Sequence, residues 1–362
     1  MTLTLDGVAK TVDGATHIHP TDLTLQRGSL NVLLGPTLSG KTTLMRLMAG
    51  LDRPTAGRVL WEGQDVTGRK VQERRVAMVY QQFINYPTLS VFENIASPLR
   101  LQGLPRKEIQ AKVEAAAELV KLTPLLQRKP LELSGGQQQR TALARALVKG
   151  AELILLDEPL ANLDYKLREE LRAEIPRLFT ESGAIFVYAT TEPHEALLLG
   201  GNSATLWQGR VTQFGQTAAV YRRPDDATTA SIFSDPPMNF LPLVKAAGGV
   251  ILGEGQQVAT PEALAGLPDG RYRAGFRANH LTLARADAAA LSFSAEVAIT
   301  ELTGSESFVH LDHGADRWIA LVHGVRVPEV GQTVEVFVEP RHLYVFDEDG
   351  KLAATAAYTA AA

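Results

Sequence analysis

The chain has 362 residues, with 36 Lys and Arg against 40 Asp and Glu, and its formal charge of −4 leaves no basic footprint for nucleic acid. Its cysteine count of 0 excludes disulfides and thiolate zinc sites. The length predicts two domains, and no uninterrupted apolar run approaches the ~20 residues needed to span a bilayer. Met1 to Lys10 lacks the charged start and apolar core of a signal peptide, so a cytosolic chain is expected, with any membrane pathway supplied by other subunits.

In chain order, apolar and β-branched-rich segments at Leu3 to Leu5, Leu30 to Leu34, Val76 to Tyr80, Leu153 to Leu156 and Ala184 to Ala189 predict strands of a mostly buried sheet. Helical patterns separate several of them, as an α/β fold requires. The stretch from Val91 to Leu147 breaks that alternation and predicts helices, notably Arg106 to Leu122 and Gly136 to Val148. It reads as a helical subdomain over about 91–148, inserted in a nucleotide-binding domain of residues 1–240. Punctuation residues around Tyr221 to Asp226 and Asp235-Pro236-Pro237 mark the boundary region. Beyond it, Phe293 to Ile299, Ser307 to Leu311, Trp318 to Val322 and Thr333 to Val338 predict short strands joined by turns at Gly314 and Gly331. A small all-β barrel over 241–362 is expected, with a frayed alanine-rich tail from Ala353.

The segment Gly35-Pro36-Thr37-Leu38-Ser39-Gly40-Lys41-Thr42 satisfies G-x-x-x-x-G-K-T between a predicted strand and the helical run beginning at Thr43. Backbone amides of such a loop, aimed by a helix N-terminus, cradle phosphate oxygens. Lys41 is expected to neutralise the β- and γ-phosphates and Thr42 to hold Mg²⁺, so the expected ligands are ATP and Mg²⁺. Asp157 ends the apolar strand Leu153 to Leu156, where its carboxylate can reach the metal, and Glu158 beside it can polarise an attacking water. Leu133-Ser134-Gly135-Gly136-Gln137 then offers a hydroxyl, two glycines permitting close approach and a helix N-terminus to a γ-phosphate.

Taken together and in this order, these motifs resemble the ATPase subunit of an ATP-binding-cassette (ABC) transporter. The resemblance implies a P-loop ATPase domain with an inserted helical subdomain, followed by an OB-like (TOBE-type) all-β domain. It implies that Gln81 is a Q-loop glutamine touching Mg²⁺ or the attacking water, with Phe83 to Asn94 facing two membrane permease subunits. Leu160-Ala161-Asn162-Leu163-Asp164 corresponds to the D-loop, and Ser134 to Gln137 complete the ATP site of the opposite subunit. Two departures stand out. Alignment through Glu195-Ala196 puts Thr191 where the family has a histidine contacting the γ-phosphate, with His194 the alternative. Counting back from Gly35 puts Val12 where the family stacks an aromatic on adenine, with His17 or His19 the alternatives. Leu38 also replaces the usual glycine of the loop.

The second half is similar to carbohydrate and polyol importers, through Gly275-Phe276-Arg277-Ala278-Asn279-His280-Leu281, Pro236 to Leu241 and Glu301 to Glu306. A peripheral place on the cytoplasmic face of a bacterial inner membrane is implied, served indirectly by a solute-binding protein. The missing histidine points to a heterodimer with a second ATPase, as in a glycerol importer. Two rival readings are a nucleotide-binding regulatory subunit with little hydrolysis and a soluble cassette ATPase of DNA repair or translation.

Overall fold

The computed structural model describes every residue except Phe83, Asn162, Glu254, Arg326, Val327 and 358–362. Part of the expected D-loop and of the permease-facing segment, and the last half of the alanine-rich tail, therefore lie outside the described residues. The chain divides into two compact units, Met1–Thr217 and Ala218–Ala362.

The first unit holds two sheets. Strands β1 (Thr2–Val12), β2 (Ala15–Gln26), β4 (Ala56–Trp61) and β5 (Gln64–Asp65) form an antiparallel sheet in the order β2-β1-β4-β5. Leu3 to Leu5 thus belong to this sheet and not to the strand set of the ATP site. Their burial alternates residue by residue, so only one face is covered, which is the antiparallel signature. The second sheet runs β10-β9-β3-β8-β7-β6, with β3 (Leu30–Leu34), β6 (Val76–Val79), β7 (Leu153–Asp157), β8 (Ile185–Thr190), β9 (Asn202–Trp207) and β10 (Arg210–Gln216). Its pairs are parallel except β9 with β10. Every residue of β7 and β8 is buried, which explains their unbroken apolar runs. Helix α1 (Lys41–Ala49) contributes Leu44, Met45, Leu47 and Met48 to an apolar cluster shared by both sheets.

The expected helical insertion comprises α2 (Val91–Leu101), α3 (Arg106–Leu119) and α4 (Gly135–Val148). Ser90 caps α2 by accepting from the amide of Glu93 at 3.2 Å. Helix α3 stops short of Leu122 because the chain turns left-handed at Lys121 (φ 54°). Helices α5 (Tyr165–Ser182) and α6 (Pro193–Leu199) flank β8 in sequence.

Helix α7 (Thr217–Arg222) opens the second unit, followed by α8 (Ala227–Ile232). One sheet pairs β11 (Asn239–Ala246), β12 (Gly249–Leu252), β13 (Gln256–Val258), β14 (Gly270–Phe276), β19 (Tyr344–Phe346) and β20 (Leu352–Ala354) in the order β13-β12-β11-β14-β19-β20. The other runs β17-β16-β15-β18, from β15 (Leu291–Leu302), β16 (Glu306–His313), β17 (Asp316–His323) and β18 (Thr333–Val338). Both sheets contribute to one core. At its centre Trp318 lies edge-on to Phe276 and Phe293, each 5.3 Å away, and its indole nitrogen donates to the Phe240 carbonyl at 2.8 Å. Among the described residues no helix is long and apolar enough to cross a membrane.

Candidate nucleotide site

The loop from Gly35 to Lys41 joins β3 to α1, so its amides surround the N-terminus of that helix. It is clamped from beneath. Gly209 donates to the Ser39 carbonyl at 2.9 Å, and its own carbonyl accepts from the amide of His19 at 2.9 Å. A side chain on Gly35 would come within 2.3 Å of the Leu206 carbonyl, so that position admits only glycine. Leu38 occupies the left-handed region (φ 66°) with its side chain 96% exposed, a conformation costing a leucine about 1–2 kcal/mol. A glycine would carry no such penalty.

The expected phosphate and metal ligands converge here. The Lys41 ammonium donates to the carbonyls of Gly35 at 2.8 Å and Pro36 at 3.0 Å and lies 3.9 Å from a Glu158 oxygen. Thr42 donates its hydroxyl to Asp157 at 2.7 Å, and Gln81 donates its amide to Glu158 at 2.9 Å. Burial lowers the Lys41 pKa, against the opposing pull of Glu158 and Asp157. Burial also raises both carboxyls: Asp157 against the Thr42 hydrogen bond and Lys41, Glu158 against Lys41 but helped by Asp157, Glu195 and Glu192. All three groups are thus biased toward their neutral forms, and a magnesium-bound triphosphate would reverse that bias by supplying both charges. The donor set fits Mg²⁺: a hydroxyl and a carboxylate already in contact, with an amide oxygen and a second carboxylate beside them.

Around these groups opens a cleft of about 530 Å³, within the range of small-ligand sites. Thr37 through Thr43, Gln81 and Glu158 line it, together with Ala15, Thr16 and His17 of β2 and the Gln208-Gly209 turn. Val12 is not part of that lining; it ends β1 opposite Ala15. His17, the alternative for stacking on the base, is. The turn residues escaped the sequence reading: Gln208 (φ 46°) and Gly209 (φ 75°) are both left-handed, as a two-residue type I′ turn between β9 and β10 requires, and only the glycine hints at it in the sequence.

The signature residues lie outside this cleft. Ser134 caps α4, its amide donating to the Gln137 side chain at 3.0 Å while its hydroxyl accepts from the Gln137 amide at 3.4 Å. Gly135 and Gly136 open that helix. From the same helix, buried Gln139 donates to the Glu158 carbonyl at 3.4 Å, a link the sequence did not announce. Asp164 caps α5 by accepting from the amide of Leu167 at 3.0 Å.

Thr191 is exposed just beyond β8, and His194 is exposed in α6. Their loop is anchored by buried Glu195, which accepts from Thr190 at 2.6 Å, Tyr188 at 3.2 Å and Arg172 at 3.1 Å. Asn94 braces the segment after Gln81: its amide donates to the carbonyls of Tyr86, Leu89 and Ser90, and its oxygen accepts from the amide of Tyr86 at 2.8 Å. Ile84 and Tyr86 nevertheless stand 64% and 49% exposed.

A strand, glycine-rich loop and helix meeting a buried strand-end carboxylate, with a capped signature helix nearby in sequence, define a P-loop ATPase of the cassette type. The family profile described as ABC transporter matches residues 18–161, and that of the TOBE domain matches residues 274–346. The sn-glycerol-3-phosphate import ATP-binding protein UgpC of Chromohalobacter salexigens is 39% identical, with 96% of this chain and 95% of that protein covered. Its namesake from Pectobacterium atrosepticum is 35% identical over 97% and 98%. Among solved structures, the dimeric bacterial ABC transporter cassette MJ0796 matches with 29% identity and a TM-score of 0.56, covering 59% of this chain and 98% of that one. A post-hydrolysis dimer of MJ0796 bound to ADP and Pi matches at 27% identity with a TM-score of 0.55 and the same coverage. The chain belongs to the ABC transporter family, among the ATP-binding subunits of carbohydrate- and polyol-type importers, and is an ATP hydrolase that binds ATP.

Proposed function

We propose that this chain energises uptake of glycerol or a related small polyol or its phosphate, working from the cytoplasmic face of the membrane beneath two permease subunits fed by a solute-binding protein. The observation that carries the ATPase part is the convergence of Lys41, Thr42, Gln81 and Glu158 on one cleft, with buried Asp157 bonded to Thr42 behind them. The relatives named for sn-glycerol-3-phosphate import support the cargo class. Exposed Ile84 and Tyr86, the latter held in place by Asn94, are the apolar surface for a permease helix.

In this reading Thr42 and Asp157 hold Mg²⁺, directly or through water. Glu158, steered by Gln81, orients the attacking water, and Lys41 leaves the loop carbonyls to meet the β- and γ-phosphates. Ser134 to Gln137 close over the nucleotide of the opposite subunit. Thr191 cannot supply the charge-stabilising contact of an imidazole, and losing one such contact slows chemistry by about 10²- to 10³-fold. A partner ATPase carrying the histidine restores one fast site per dimer.

Reconstitution with the permease subunits encoded beside it tests the proposal. ATP-dependent accumulation of labelled glycerol or sn-glycerol 3-phosphate is expected; accumulation of neither, with other solutes transported, refutes the cargo class. Native mass analysis tests the pairing. A complex holding two copies of this chain and no second ATPase refutes the heterodimer.

A further inference from the structure

At the end of the parallel sheet opposite the phosphate loop lies a second, smaller cavity of about 220 Å³, bounded by the first residues of β6 and β7, Val76 and Leu153. Its apolar wall includes Leu3, Met48 and Trp61, and three arginines reach it: Arg69, Arg74 and Arg75. Two glutamates, Glu73 and Glu152, share the lining. Arg75 and Glu152 neutralise one another at 2.8 Å, and Arg75 also donates to the Gly150 carbonyl at 3.2 Å.

Arg74 is held differently. Its guanidinium donates only to backbone carbonyls, those of Met48 at 3.3 Å and of Val66, and its buried Nε has no hydrogen-bond partner. It packs directly on Gly50, where a side chain would come within 2.4 Å of the guanidinium carbon. Among the described residues, no carboxylate lies within ion-pair distance of Arg74 or Arg69. Burial, and secondarily Arg69, lower the Arg74 pKa against the opposing pull of Asp65. A half-buried guanidinium beside a second one, opposed only at longer range by Asp65, is costly, because a buried charge is ordinarily paired.

We propose that this cavity binds a small oxyanion of the phosphate type between Arg69 and Arg74. The volume lies below the roughly 300 Å³ at which drug-sized ligand sites begin, so it excludes a nucleotide and admits a compact anion. The planar fork of a guanidinium suits a tetrahedral oxyanion, and exposed Arg69 on the rim offers its fork while Arg74 adds a second positive charge on the same lining. Glu73 stands on the same lining as a competing anion that weakens the site. The site lies at the strand N-termini, whereas the nucleotide cleft lies at the C-terminal end of β3. It is therefore independent of ATP chemistry.

The full chain, with its phosphate loop saturated by a magnesium-bound non-hydrolysable ATP analogue, is titrated calorimetrically with inorganic phosphate. One saturable site is expected, weakening as ionic strength rises. Arg69→Ala, on the exposed rim, should lower affinity at least tenfold without unfolding the protein, and Arg74→Met should abolish binding. Glu73→Gln should tighten it several-fold. No saturable phosphate binding, or an affinity unchanged by both Arg69→Ala and Glu73→Gln, overturns the assignment.

Discussion

The nucleotide cleft and the centre of the C-terminal barrel both bury polar groups, on opposite terms. In the cleft, burial displaces Lys41, Asp157 and Glu158 toward their neutral forms, and Ser39 keeps a buried hydroxyl without a partner. In the barrel, Asn239 closes both ends of its amide, donating to the Ile319 carbonyl and accepting from the Ile319 amide at 2.8 Å each, while the Trp318 indole is satisfied at 2.8 Å. The contrast holds for these particular groups: Thr300 and His313 of the second unit also keep a buried polar atom without a hydrogen-bond partner, so what distinguishes the cleft is the convergence of charged groups and not a spare valence alone.

The sharpest way to break this contrast is Ser134→Arg, which puts a long cation where the signature helix must close on nucleotide. ATP turnover of the complete transporter should fall by at least about 10²- to 10³-fold, while nucleotide titration of the chain alone stays unchanged. A parallel loss of affinity in the isolated chain would place the signature in the cleft of its own subunit.

Trp318→Ala addresses the scaffold side. Removing a fully buried tryptophan should cost about 3–5 kcal/mol of stability, read by denaturant unfolding of the second unit. Nucleotide affinity should hold. Smaller still is Glu158→Gln, expected to reduce transporter turnover by no more than about tenfold and by less than the matching change in the partner ATPase. If it is the more damaging of the two, the asymmetry drawn from Thr191 is wrong.

The smallest effect concerns pH. His280 is stacked on His342 at 3.9 Å, and burial, assisted by His342, Arg277 and Arg341, depresses its pKa to about 3. The unfolded chain therefore binds the proton that the folded barrel refuses between the ordinary histidine value and about 3. Stability contributed by neutral His280 is complete above about pH 6.5 and drains away on acidification, at up to about 1.4 kcal/mol per pH unit. The slope of unfolding free energy against pH should flatten in His280→Gln. The cleft has the opposite sign at its carboxylates: Asp157 and Glu158 are raised, so without ligand their ionisation destabilises the fold as pH rises past the ordinary carboxylate range, and bound magnesium nucleotide should cancel that loss.

What could be read from the sequence alone was whatever is specified within a few consecutive residues. The phosphate loop needs glycine where Gly35 meets the Leu206 carbonyl and where Gly40 turns at φ 105°; β7 and β8 need unbroken apolar runs because both faces are covered; Ser134 and Asp164 cap the helices they precede. Half-exposed elements were less legible. Strands β2 and β10 carry polar residues on one side, and most of the sheet β13-β12-β11-β14-β19-β20 is too short for a clear period. Only the tertiary structure brought Gln81 to Glu158 across 77 residues, put His17 and the Gln208-Gly209 turn on the cleft, and gathered Arg69 and Arg74 around one cavity. These contacts follow from which strands lie side by side, and that order is decided by the burial of the whole core, which no local window of the chain encodes.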